Sequence, residues 1–271
     1  MKVYACALAK NEHLYINEWA KYYLKLGVDK IFLFDNDDKN VPNIRDYLDK
    51  ECLDKMRIIN ARGVHFSNMQ GKFYTNFYNI EKDNFDWCIF CDIDEFIFGI
   101  DNIKDFLSKP KYKPFEQIRI KWKLFGDDNL IERDMSKPMY EIFSHEITKP
   151  LSKDLKSVCC LHNQGKSIVK GHLRNIEFVS VHFASRNNQV LLSCLPSGKI
   201  CRSLVEIKED YSQEKVFMHH YMTKSLSEFV KQKMNRTDAV FGKRQLDMSY
   251  YWRLNEKTKE KLDYLKSIGL E

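Results

Sequence analysis

Along the first hundred residues, apolar runs about a strand long alternate with stretches whose apolar residues recur every three or four positions. The runs fall at residues 2–9, 30–34, 56–60 and 87–91, and all but the third are apolar almost throughout. A strand of that kind is covered on both faces, the usual situation in a parallel sheet. Between the runs, Tyr15, Trp19, Tyr22 and Leu26 share a helical face that Gly27 ends, Pro42 opens a helix carrying Ile44, Tyr47 and Leu48, and residues 69–82 form a helix with Phe73, Phe77 and Ile80 on one face. Strand and helix in alternation predict a right-handed α/β fold with a mostly parallel, Rossmann-like sheet flanked by helices.

Past Phe96 the pattern loosens. A short helix at 103–107, strands at 117–122, 165–170 and 178–183, and a surface loop or hairpin over 184–203 are expected, while 127–165 reads as loops and short strands. Residues 217–221 lead to a helix carrying Leu226, Phe229 and Val230, started by Thr223 or by the capping-box pair Ser225 and Glu228. A last helix lies between 257 and 268. With no internal repeat and no flexible linker, residues 1–220 are expected to form one domain and 221–271 a helical C-terminal extension of it.

Two of the buried runs end in acid. Residues 30–34 lead into Asp35-Asn36-Asp37-Asp38, and Trp87-Cys88-Ile89-Phe90-Cys91 leads into Asp92-Ile93-Asp94. The carboxyl ends of parallel strands face a ligand crevice, so Asn11, Asp35 and Asp92 are expected to share one. Carboxylates there must be solvated, paired or bound to a cation, and Asp92 with Asp94 offers hard oxygen ligands suited to Mg2+ or Mn2+ beside substrate phosphates. That chemistry suits phosphoryl or glycosyl transfer.

Composition narrows the picture modestly. At 44% hydrophobic and 30% charged the chain is an ordinary globular sequence, and no apolar run is long enough to span a membrane. The absence of a basic-then-apolar leader makes the cytoplasm the expected compartment. Cys88 and Cys91, three residues apart on a strand, point to opposite faces, which rules out a metal pair. The eight cysteines read as small core residues kept reduced. Net charge is +6, with eleven Lys or Arg against seven Asp or Glu after residue 220, a tail that suits helix solvation or contact with an anionic membrane surface. No glycine-rich phosphate loop is present, and nothing calls for nucleic acid.

The ordered series Ala9-Lys10-Asn11-Glu12, Glu18-Trp19, Leu26-Gly27-Val28-Asp29, Phe34-Asp35-Asn36-Asp37, Asp86-Trp87 and Asp92-Ile93-Asp94-Glu95-Phe96 resembles the glycosyltransferase family 2-like and family 92 group. It continues through Trp122 with Phe125-Gly126, Lys166-Ser167-Ile168-Val169, His182, and His220-Tyr221 with Lys224-Ser225 and Glu228-Phe229, so the resemblance covers most of residues 3–236. It implies a GT-A-type fold, a nucleoside diphosphate sugar as donor (a UDP-sugar first among them), Mn2+ or Mg2+, and inverting transfer. The expected acceptor is a growing glycan, in surface polysaccharide synthesis, and the basic tail together with the missing export signal motivates a lipid-linked acceptor at the inner face of the membrane.

By the same resemblance Asp35 and Asn11 line the nucleotide pocket and Asp92 and Asp94 face the diphosphate through the metal. His220, or after it His182, completes the metal site, while Lys166 and Lys224 read either as phosphate contacts or as ordinary surface or helix-start residues. Trp122 divides between core and acceptor platform. Inversion requires a general base, for which Asp127 and Asp128 stand first, with Glu95 and Glu132 as competitors. The family usually carries small residues after Phe125-Gly126, so this chain departs from the pattern there. A phosphohydrolase using Asp92 as nucleophile, and a non-catalytic glycan-binding module, are the other readings the residues allow.

Overall fold

The computed structural model describes residues 1–148, 163–203, 206–234 and 246–270. The four expected strands form as β1 (Val3–Ala9), β2 (Lys30–Asp35), β3 (Met56–Asn60) and β4 (Trp87–Phe90), with α1 (Ile16–Lys25), α2 (Lys50–Lys55) and α3 (Met69–Glu81) between them. After β5 (Glu95–Phe98) and α4 (Ile103–Leu107) come β6 (Gln117–Leu124), α5 (Met139–Ile142) and β7 (Gly165–Lys170). Short strands follow, β8 (Glu177–Ser180), β9 (Phe183–Arg186), β10 (Gln189–Val190), β11 (Ser193–Cys194), β12 (Ile200–Cys201) and β13 (Phe217–His220).

The main sheet runs β12-β11-β6-β7-β4-β1-β2-β3. β1 pairs in parallel with β2 on one side and β4 on the other, and β2 with β3. β7 enters antiparallel between β4 and β6, and β13 lies parallel to β6 and antiparallel to β5. The chain is thus α/β, a mostly parallel sheet flanked by helices, as the GT-A-type expectation describes. Its C-terminal part is helical, with α6 (Leu226–Glu228), α7 (Met248–Tyr251) and α8 (Lys259–Ser267) packing Leu226, Phe229, Tyr251 and Leu265 together. Among the described residues no helix is long and apolar enough to cross a membrane.

The sheet carries a core on each face. Trp19 and Tyr23 of α1 pack with Ile89 and Cys91 on one side, and Tyr74 and Phe77 of α3 pack with Cys88 and Phe90 on the other. Alternation along the strand therefore separates the two thiols as expected. Burying a side chain of this size contributes about 1.5–3 kcal/mol, so each aromatic pair is a substantial part of what holds its helix on the sheet.

Three details differ from the sequence pattern and a fourth settles an open alternative. α3 buries Gln70, Tyr74, Phe77, Tyr78 and Glu81 and leaves Ile80 66% exposed, so the face toward the sheet is the neighbouring row, which shares only Phe77 with the expected one. Gly71 lets that row approach closely, since a Cβ there would lie 2.4 Å from the Phe178 carbonyl oxygen. After Pro42 there is only a 3₁₀ turn, Ile44–Tyr47, which Asn43 caps through the Arg45 N–H, and the α-helix starts later as α2. The strand expected over 178–183 is a hairpin, with Ser180 opposite Phe183 and the Ser180 hydroxyl accepting the His182 N–H at 3.2 Å. Ser225, not Thr223, starts the late helix through a complete capping box with Glu228.

Candidate functional site

Strand order locates the crevice. From β1 the sheet grows through β2 in one direction and through β4 in the other, and ligands of open α/β sheets bind where the order reverses, outside the carboxyl ends of the strands. The segments at that edge are Asn11-Glu12 after β1, Asp35-Asn36-Asp37 at the end of β2, and Asp92 to Glu95 after β4.

On the β1 and β2 side the polar groups are under-partnered. Asn11 sits in the left-handed region at φ 54°, and its backbone N–H donates to the Asp37 carboxylate. Among the described residues, Asn11 Oδ1 and Asp37 Oδ2 are buried without a hydrogen-bond partner. Burial, reinforced by the neighbouring Asp35 carboxylate, pushes the Asp37 carboxyl up to about 6 despite the Asn11 N–H. The Arg62 guanidinium lies 3.8 Å from Asp35 and donates to the carbonyls of Asp38 and Pro42 at 3.0 and 3.2 Å. Asn36 closes the wall by donating to the Ala61 and Val64 carbonyls at 2.7 and 2.8 Å.

On the β4 side lysines hold both aspartates. Asp92 accepts from Gln70 at 2.6 Å and from the Lys166 ammonium at 2.8 Å. Asp94 accepts from Lys233, with Lys224 at 3.7 Å and His220 Nε2 at 3.4 Å. Glu95 accepts the Asp92 N–H at 2.8 Å with one oxygen, while the other faces His220 Nδ1 at 3.8 Å, beyond hydrogen-bonding distance. Lys224 also reaches Glu12 at 3.3 Å and lies over the Tyr15 ring at 4.1 Å.

Burial alone would raise these carboxyls. It does raise Glu95, well above the usual range, against the opposing Lys166 charge. At Asp92 the Lys166 charge overcomes burial, and at Asp94 Lys233, Lys224 and His220 together hold the carboxyl well below its ordinary value. His220 is pushed down by burial against the pull of Asp94.

This donor set does not fit the divalent cation expected on Asp92, Asp94 and His220. Both Asp92 oxygens and the Lys233-bound oxygen of Asp94 are taken by donors, and an added cation would sit among ammonium groups. Like charges about 4 Å apart repel by about 4 kcal/mol at an effective dielectric near 20. Among the described residues no group of three or more His, Cys, Asp or Glu is placed to hold a metal. His182, the second histidine, is pushed down to about 3 by burial and the Lys166 charge, with Nδ1 3.0 Å from the Gly165 carbonyl oxygen.

The crevice thus gathers Asn11, Asp35, Asp92, Asp94, Lys166, Lys224 and His220, and adds Glu12, Asp37, Gln70 and Lys233, which the sequence did not single out. Asp37 repeats the D-x-D spacing and was within reach of that signal, whereas Lys233 had none. Asp127 and Asp128 are engaged elsewhere. Asp127 is buried against Tyr251 and Lys261, the latter at 2.5 Å, and its other oxygen accepts the Asn129 N–H, so both oxygens hold the surrounding chain in place. Asp128 holds the Ser144 N–H and hydroxyl and the His145 N–H at 2.8 to 3.0 Å. Both border a hollow of about 520 Å³ with Ile147 and Asn255. Glu132 pairs with Lys231 on the surface, and Trp122 is buried against His182 and His220 instead of offering a sugar platform.

No family model matches the chain, and no curated protein matches it. Among solved structures it is similar to the crystal structure of S. aureus TarS, with a TM-score of 0.36 and 15% identity over 63% of this chain and 28% of that one. The chain therefore spans little more than a quarter of that protein's length, and likeness at this level says nothing about the chemistry of the crevice.

Proposed function

We propose that the chain is a glycosyltransferase that binds a nucleoside diphosphate sugar across the β1–β4 crevice and transfers the sugar to a hydroxyl of a glycan acceptor. The observation that carries this reading is the division of the switch-point edge into an under-partnered half and a half where buried lysines are paired with carboxylates. Asn11 Oδ1 and Asp37 Oδ2 are acceptors without donors, suited to the N–H of a pyrimidine such as uracil. Lys166, Lys224 and Lys233 suit the diphosphate. In the transfer, the acceptor oxygen bonds to the anomeric carbon while the bond from that carbon to the diphosphate oxygen breaks. The electron pair stays on the diphosphate, and the acceptor's proton passes to water.

Thermal denaturation with UDP, GDP and CDP tests the reading. A ligand at a hundred times its dissociation constant stabilises by about 2.7 kcal/mol, and each kcal/mol shifts the midpoint of a chain this size by about 2–4 °C. UDP is expected to give the largest shift, and Asp37→Ala to remove most of it. No shift with any nucleotide would sink the reading, and a shift with glycans alone would make the chain a binding module.

A further inference from the structure

Taking the crevice as a nucleotide diphosphate site, we propose that the ammonium groups of Lys166, Lys224 and Lys233, in place of a divalent cation, supply the positive charge that meets the donor diphosphate. Asp92 and Asp94 are then positioning residues that aim these lysines.

The lysines come from three separate parts of the chain, β7, the residue before the capping box of α6, and the end of a π-helical turn at Phe229–Lys233. All three are at most 5% exposed, a rare state for lysine unless its charge is used or paired. Two of the placements are conformationally unusual. Lys224 holds φ at 58°, a region non-glycine residues avoid, and π-helical turns are rare and cluster at functional sites.

The same neighbourhood contains buried polar atoms that, among the described residues, have no hydrogen-bond partner, namely Glu95 Oε1, His220 Nδ1 and the Trp122 indole N–H. An indole N–H can only donate, so an acceptor-rich group such as a phosphate matches it. Asp92, whose side chain is 32% exposed, forms the open side of the cluster, and the Lys166 ammonium it accepts from lies directly behind it.

Calorimetric titration of the full chain with UDP, GDP and CDP, each beside its nucleoside, in EDTA and again in Mn2+, tests the proposal. The expected result is that one diphosphate binds in EDTA and that Mn2+ tightens it by less than about threefold. Lys224→Met and Lys233→Met should each weaken that diphosphate about ten- to a hundredfold, as loss of a charge-assisted hydrogen bond does, and leave the nucleoside unchanged. A diphosphate that binds only with Mn2+ overturns the lysine assignment and leaves the nucleotide reading standing. Loss of nucleoside and diphosphate together in folded variants also overturns it, since that is the mark of a merely structural role. If no nucleotide or nucleoside binds wild-type protein in either buffer, the nucleotide reading falls first and this proposal with it.

Discussion

Phe34-Asp35-Asn36-Asp37 and Phe90-Cys91-Asp92-Ile93-Asp94 both close a buried parallel strand on two carboxylates one residue apart, and the fold gives them opposite electrostatics. At the end of β2, Asp37 is buried beside another acid, keeps one oxygen without a donor, and titrates near 6. After β4, Asp94 is equally buried but meets Lys224 and Lys233, and its carboxyl is held well below the ordinary value. The local pattern is the same. What differs is whether a lysine from more than a hundred residues away reaches it, so the charge state of such a motif is a property of the tertiary fold.

The largest effect should come from unbalancing the β4 end. Asp94→Asn leaves Lys233 and Lys224 with a buried positive charge less well matched, and removing one partner of a buried pair costs about 3–5 kcal/mol. Urea denaturation at neutral pH measures it, and adding Lys233→Met should recover part of the loss. A cost below about 1 kcal/mol would mean that the two strand ends are not electrostatic opposites.

The second test has the opposite sign. Asp37 has a folded value near 6 against an ordinary 3.8, so the folded state binds its proton more tightly and this group's contribution to stability falls as pH rises from about 4 to 6. Asp37→Asn should therefore stabilise the protein by about 1–2 kcal/mol above pH 6 and by almost nothing near pH 4. Asp94, with a depressed value, contributes stability above pH 4 that is lost as pH falls further. Urea midpoints measured from about pH 4 to 8 should rise relative to the unmodified protein for Asp37→Asn and keep a constant deficit for Asp94→Asn. A uniform loss in Asp37→Asn at every pH would break the comparison.

Most of the sheet was legible because strands buried on both faces announce themselves as continuous apolar runs, and each of β1, β2 and β4 does so. The polar sheet edge was legible to the same extent, as the place where such runs stop at Asn11, Asp35 and Asp92. Its counter-charges were not. Lys233 sits among other charged residues of a C-terminal segment with a solvated-helix composition, and only the π-helical turn swings it inward. Local chemistry misled at Ser180, whose hydroxyl favours a turn inside an otherwise strand-like run. It misled again at Asp127, where acids beside a loop read as catalytic but hold Tyr251 and Lys261 of the helical extension in place.

The smallest effect lies inside the second motif and separates its two acids. Gln70 donates to Asp92 at 2.6 Å and to the Tyr74 hydroxyl at 2.9 Å, and Tyr74 also donates to the Cys91 carbonyl at 3.3 Å. In Gln70→Leu the Tyr74 hydroxyl keeps that carbonyl, and the freed Asp92 oxygen, on a side chain 32% exposed, can turn to water. The expected cost is therefore about 0.5–1.5 kcal/mol, the net worth of one hydrogen bond, and well short of Asp94→Asn. Urea denaturation of the two variants side by side makes the measurement. Equal costs would mean that Asp92 is enclosed as deeply as Asp94, and the proposed diphosphate would then find no open side from which to approach.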